Sequence, residues 1–132
     1  FHLIGQSFRK VPAEVEQIQQ ALGNRLGEFG FVQDKAAYLR LLANCDVVLS
    51  TARHEFQGIA VLEAVAAGCQ PVVPDDLAYQ EFIPAECRYK TVDEAVSKIL
   101  VQPKGKQVHS LPHGVQPQTV AGKWRDLIAS LL

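Results

Sequence analysis

The sequence predicts an α/β fold built on a parallel sheet. Three observations carry this: β-like runs of four to six residues alternate with helical periods of about ten; the clearest runs are continuous and apolar; and glycines or prolines punctuate the joins. The chain has 132 residues, 48% hydrophobic and 20% charged, enough for one core and too apolar for a disordered chain.

Phe1 to Gly5 reads as the first strand. Pro12 to Leu22 follows as a helix with Val15, Ile18 and Leu22 on one stripe and Pro12 suited to its first turn; Gly23-Asn24 stops it. Arg25 to Val32 is a weaker strand interrupted by glycine. Asp34 fits the N-cap of a helix through Asn44, with Tyr38, Leu41, Leu42 and Cys45 at helical spacing. Asp46 to Thr51 is a short apolar strand of the kind buried on both faces. A polar loop, residues 52 to 57, leads into a helix from Gly58 to Ala67, closed by Gly68.

Gln70 to Asp75 is a second buried strand, Leu77 to Ile83 a single helical turn, and Cys87 to Lys90 a short edge strand. Thr91 caps a helix over Val92 to Val101 in a Thr-x-x-Glu box with Glu94. Residues 102 to 117 hold three prolines and two glycines and read as a linker. The tail, 118 to 132, is an amphipathic helix with Val120, Trp124, Leu127, Ile128 and Leu131 on one stripe that must be buried somewhere. The expected organisation is therefore a Rossmann-like unit over 1–101, the linker, and the tail helix.

Thirteen Lys and Arg against fourteen Asp and Glu argue against a strongly basic nucleic-acid clamp. No apolar run reaches the roughly 20 residues that span a bilayer, so no membrane role is expected. Cys45, Cys69 and Cys87 are odd in number and lack a C-x-x-C pair; buried thiols in a reducing compartment, the cytoplasm, are the expectation. Asp75-Asp76 suits turn chemistry better than a metal, and Pro112 denies His109 and His113 a helical metal-binding register. No metal and no cofactor is expected. With no Met in the chain and an apolar run at its start, the sequence reads as a fragment of a longer protein.

In parallel sheets, ligands gather where strands end and helix N-termini offer free N–H groups. The segment 50–64 has this layout: a strand, a polar loop with Arg53, His54, Glu55, Phe56 and Gln57, then a helix opening at Gly58. Gly58 would permit close approach by a ligand and leave the N–H groups of Ile59, Ala60 and Val61 for a phosphate. A carboxylate such as Glu63 can accept two hydrogen bonds from a sugar diol. The eight-residue separation of Glu55 and Glu63 is not itself informative. Eight glutamates in a chain of this length give such a pair about half the time, and Glu86 and Glu94 repeat it with no strand or glycine around them. The surrounding strand, loop, glycine and helix are what single out the first pair. Arg53 and His54 suit a phosphate or an acceptor as well as a plain surface, and so do Arg9 and Lys10 after the first strand.

His54-Glu-Phe-Gln-Gly-Ile-Ala-Val-Leu-Glu-Ala64, followed by Gly68-Cys-Gln-Pro-Val-Val73, resembles the E-x7-E signature of glycosyltransferase family 4, of GT-B fold. The wider family favours Glu-Gly-Phe-Gly in the loop; here it reads Glu55-Phe-Gln-Gly58. That departure and the flanking Ser50-Thr-Ala-Arg-His and Pro74-Asp-Asp-Leu-Ala-Tyr-Gln-Glu-Phe-Ile-Pro84 are similar to a narrower group, the tRNA-queuosine α-mannosyltransferases, which use GDP-mannose. The resemblance implies that Glu63 holds the nucleotide ribose, that Glu55 is the catalytic-site contact to the donor hexose, and that N–H groups from Gly58 to Val61 hold the diphosphate. Phe31 and Val32 would lie against the base, and Gly5 matches a glycine region whose phosphate role is weakened by its being single.

The implied partners are a nucleotide sugar and, through the whole protein, tRNA. The Arg and Lys pair that retaining members use and the first strand of the parent domain would precede Phe1. The expectation is an isolated piece that is inactive and completes its sheet abnormally or as a homodimer. A family-4 transferase using a UDP- or ADP-sugar on a glycan or lipid, and a non-catalytic nucleotide-binding module, are the rival readings. No G-x-G-x-x-G follows any strand, which disfavours a dinucleotide dehydrogenase. Gln6-Ser7, standing where a phospho-receiver wants acids, disfavours that too.

Overall fold

The computed structural model describes residues 1–5, 12–101, 111 and 113–131. The expectations at Arg9, Lys10 and His109, and most of the linker, fall outside these residues. The chain divides into two compact units, Phe1–Tyr38 and Leu39–Leu132. Both are built of parallel strands and helices, which establishes the α/β class.

In the first unit, strand β1 (Leu3–Ile4) pairs in parallel with β2 (Phe29–Gly30), joined through helix α1 (Ala13–Leu22). Pro12 stands at the N-cap of α1, and Gly23, at φ 51°, ends it before one 3-10 turn, Gly23–Arg25. The expected second strand is much shorter than 25–32, as its glycines foretell. Helix α2 (Lys35–Ala43) starts where Asp34 predicts: the two carboxylate oxygens accept from the N–H groups of Ala36 and Ala37 at 3.0 and 3.2 Å.

The second unit holds a parallel sheet in the order β3 (Val47–Leu49), β4 (Gln70–Pro74), β5 (Arg88–Tyr89). Helix α3 (Ile59–Ala66) connects β3 to β4; the short α4 (Tyr79–Phe82) precedes β5, and α5 (Val92–Leu100) follows it. The core is Val61 and Val65 of α3, Val73 of β4, Tyr79, Ile83 and Cys87, joined by Val48, Phe82 and Leu111. Cys69 is fully buried, and its Sγ lies 3.3 Å from the carbonyls of both Leu42 and Cys45, so its thiol ties α2 to the sheet as a small core residue. None of the three cysteines forms a disulfide.

One strand departs from expectation. The run Asp46 to Thr51 is expected to be buried on both faces, yet Val47 and Val48 are half-buried and Leu49 is 47% exposed. The reason is position, because β3 is an edge of its sheet whereas β4 lies between two neighbours. Apolar continuity reports that a strand is hydrophobic and not how many neighbours it has.

The middle strand β4 carries two prolines, which a central strand normally refuses because each removes a ladder donor. Both fit here. In the β3–β4 register, Gln70 N–H reaches Asp46 O, and Ser50 N–H reaches Val72 O. Alternation turns the nitrogen of Pro71 toward β5, which begins only opposite Val73, so no partner is deprived. Pro74 falls where the next rung to Ser50 O would be. That carbonyl is satisfied instead by the Tyr89 hydroxyl at 2.8 Å. The ladder therefore stops at Ser50 by a side-chain substitution for a missing N–H.

Thr91 caps α5 as predicted, its Oγ1 accepting from Glu94 N–H at 3.2 Å, and Glu94 Oε2 accepts from the N–H of Lys90 at 2.7 Å. The reciprocal bond of the box is thus displaced by one residue. The last helix, α6 (Pro117–Leu131), forms as predicted, but Val120, Trp124, Leu127 and Ile128 remain 38–60% exposed among the described residues.

Because Val73 is wholly buried and Leu49 only half, Val73→Ala is expected to cost about 2 kcal/mol and Leu49→Ala less than half of that. Urea denaturation of the two variants side by side checks this ranking.

Candidate functional site

The loop between β3 and α3 is fixed at both ends by aromatic side chains. At its start, Ser50 is held twice: its carbonyl by Tyr89, and its hydroxyl, 2.8 Å from the buried Tyr79 hydroxyl, by α4. Burial raises the pKa of both phenols, so they stay protonated over the physiological range. Ser50 Oγ also accepts from Ala52 N–H at 3.3 Å and begins the turn outward.

At its end, Gly58 adopts the left-handed conformation, φ 64°, ψ 28°, and is buried. A Cβ built there would lie 2.6 Å from Phe82 Cζ and 3.1 Å from Tyr79 Cε1. On its core side this glycine admits the edge-to-face pair Tyr79–Phe82. Gly58 is therefore required by the protein's own packing for two reasons, handedness and space.

Glu55 occupies the middle of the loop. Its Oε1 accepts from three successive backbone N–H groups, Phe56 at 3.0 Å, Gln57 at 3.1 Å and Gly58 at 2.8 Å. The Gly58 N–H contributes most to lowering the Glu55 pKa from the ordinary 4.5, with Gln57 next; partial burial opposes them and Phe56 adds to them. The second oxygen, Oε2, makes no hydrogen bond to the described residues. The N–H of Gly58, expected on an incoming diphosphate, is already engaged. Those of Ile59, Ala60 and Val61, the first turn of α3, have no acceptor among the described residues.

Glu63 lies one turn further along α3, half-buried. Val61, Ala64 and Val65 form the buried face of the helix, while Ile59, Ala60 and Glu63 fall on its outer edge. Helical side chains lean toward the N-terminus, so the Glu63 position overlooks the same first turn as the free N–H groups. Around the loop, Arg53 and His54 are exposed, Gln57 is exposed, and Phe56 stands 93% exposed at the tip.

The remaining predicted residues belong to the first unit. Gly5 ends β1, its N–H donating to Gly30 O at 3.1 Å; Phe31 is exposed and Val32 half-buried just after β2. All three occupy strand carboxyl ends, the position from which they were predicted.

Beyond β4, Asp76 behaves as a turn residue and Asp75 as an ion-pair partner. Asp76 Oδ1 accepts from Leu77 N–H at 2.7 Å and supports its positive φ of 60°. Asp75 faces Arg88 Nε at 2.9 Å and Lys90 Nζ at 3.6 Å. The buried Arg88 Nε makes no well-directed hydrogen bond there, so the contact is an ion pair. No group of three or more potential metal ligands occurs among the described residues.

Sequence reasoning passed over Ser50, Tyr79, Phe82 and Tyr89, which hold the loop. Their signal was indirect: a proline in a central strand leaves a carbonyl without a donor, and a tyrosine supplies one.

No protein-family profile matches the chain. It is 41% identical, over 97 residues and 74% of its length, to a tRNA-queuosine alpha-mannosyltransferase of Drosophila melanogaster. Over 99 residues, 70% of its length, it is 32% identical to a GDP-mannose-dependent alpha-(1-6)-phosphatidylinositol dimannoside mannosyltransferase of Mycobacterium tuberculosis, matched in two strains. The chain spans 26% of the length of these curated relatives. Together with the parallel α/β fold, these similarities support a GT-B glycosyltransferase-like domain.

Two outcomes follow from the loop geometry. Gly58→Ala is expected to destabilise by about 3 kcal/mol, and by about 2 kcal/mol in a Phe82→Ala background, where the left-handed backbone penalty and the 3.1 Å approach to Tyr79 Cε1 remain. A double-mutant cycle in urea measures this. The lowered pKa of Glu55 contributes stability that is fully present above its unfolded value of 4.5 and lost as pH falls through the folded value. Denaturation midpoints from pH 6 down to 3 are expected to fall less steeply in Glu55→Gln than in wild type.

Proposed function

We propose that this chain is part of the donor half of a GT-B glycosyltransferase, transferring mannose from GDP-mannose to queuosine in tRNA. The supporting observation is the first turn of α3: three N–H groups without acceptors among the described residues, flanked by the Glu55 loop and overlooked by Glu63. A nucleoside diphosphate supplies groups of matching chemistry. The diphosphate would take the N–H groups of Ile59, Ala60 and Val61, and Glu63 the ribose diol. Glu55 Oε2 remains for a hexose hydroxyl. When the bond from the anomeric carbon to phosphate breaks, charge grows on the departing diphosphate, and fixed N–H dipoles stabilise it without reorganising. His54, exposed in the same loop, would approach donor or acceptor.

Both relatives are named for mannosyl transfer, and one for GDP-mannose. They differ in acceptor. The higher identity of the relative named for tRNA-queuosine favours the nucleic-acid acceptor over the lipid one. Neither role requires a metal or a cofactor in this half.

The protein carrying this chain is to be titrated calorimetrically with GDP, UDP and ADP. Preferential GDP binding is expected, weakened at least about tenfold in Glu63→Ala, the loss of charge-assisted hydrogen bonds to the diol. A preference for UDP or ADP would overturn the GDP-mannose assignment, and no binding of any of the three would favour a non-catalytic module.

A further inference from the structure

Glu55 has a second task that a contact to the donor hexose does not include. One oxygen, Oε1, is the common acceptor for the N–H groups of Phe56, Gln57 and Gly58. Three donors converging on one atom fix the backbone of residues 55–58 as a closed turn. The last of them belongs to the left-handed residue from which α3 departs. The direction of the first helical turn, and so the aim of the N–H groups of Ile59, Ala60 and Val61, depends on how Gly58 is held. Tyr79 and Phe82 hold it from the core side, and Glu55 holds it from the solvent side. Without Glu55, three adjacent N–H groups lose their acceptor and the turn loses its reason to close. Oε2 has no part in this and makes no hydrogen bond to the described residues.

We infer that Glu55 is a positioning residue for the diphosphate site: Oε1 locks the 55–58 turn that aims the α3 N–H groups, while Oε2 alone meets the hexose. The inference rests on the donor-site reading above. The lock needs an oxygen acceptor of the right length and no charge, so the side-chain carbonyl of glutamine can replace Oε1. A hexose contact, by contrast, leaves the binding of a nucleotide without hexose untouched. The two roles therefore separate on GDP itself, which carries the diphosphate and lacks the sugar.

The test compares wild type, Glu55→Ala and Glu55→Gln in the protein that carries this chain. GDP affinity is read by calorimetry, and amide hydrogen exchange of residues 56–58 is read without ligand. Glu55→Ala is expected to bind GDP about tenfold more weakly and to lose protection at Gln57 and Gly58, with Ala67 at the far end of α3 unchanged. Glu55→Gln is expected to keep both within about threefold, the neutral acceptor being somewhat weaker than the charged one.

Equal GDP affinity in wild type and Glu55→Ala would overturn the inference and leave the donor site standing. A loss in Glu55→Gln as large as in Glu55→Ala would overturn it as well. Failure of wild type to bind GDP would count against the donor-site reading. The exchange comparison would still decide whether Glu55 locks the turn, and unchanged protection in Glu55→Ala would overturn the lock.

Discussion

The close approach of Gly58 to the Tyr79 and Phe82 rings is the constraint from which the local architecture follows. It sets where α3 begins, because no other residue combines the left-handed backbone with the absence of a Cβ. It also fixes α4, a helix of only four residues with little stability of its own, which is kept by burying Tyr79 against α3 and by the bond from its hydroxyl to Ser50. One tyrosine therefore touches both ends of the loop: the ring packs on the glycine that closes it, and the hydroxyl bonds the serine that opens it. The loop is polar and exposed along most of its length, yet its endpoints are core residues. This is how a rigid scaffold presents an exposed segment.

The element order was largely legible because it depends on local chemistry. Pro12, Asp34, Thr91 and the glycines at 23, 58 and 68 each act within a few residues of themselves, and the structure places helix ends beside all of them. What the sequence could not supply was partnership across distance. Whether Val47-Val-Leu49 is sandwiched or at an edge depends on which strands adjoin it, and an apolar run is compatible with both. Pro71 and Pro74 look like arguments against a central strand until the register shows one nitrogen facing an empty stretch and the other replaced by Tyr89.

The site was legible to a similar depth. The layout of strand, loop, glycine and helix forms as the sequence predicts, with Glu55 in the loop, Gly58 at the helix start and Glu63 within the helix. Their immediate partners were not predictable. The sequence marks Gly58 as a place of close approach, and on its core side the approaching groups are two rings whose residues lie more than twenty positions downstream. Glu55 was read as a carboxylate facing a sugar, while half of it is committed to its own backbone. Spacing identifies that a residue type recurs in a useful place; it does not say which atoms are already in use.

That commitment bears on the loop's departure from the family pattern. In the sequence Glu55-Phe-Gln-Gly58 the two residues between the carboxylate and the left-handed glycine both have side chains, and both donate their N–H to Oε1. A turn closed by a carboxylate at its own first residue uses only backbone donors, so it tolerates side chains at the second and third positions as long as they point outward. Phe56, 93% exposed, and Gln57 do so. A glycine is obligatory only at the fourth position, where the backbone turns left-handed and the core approaches. The placement of the single glycine at 58 is then a consequence of the turn's geometry. The two preceding positions are left open for side chains that face whatever the loop presents itself to.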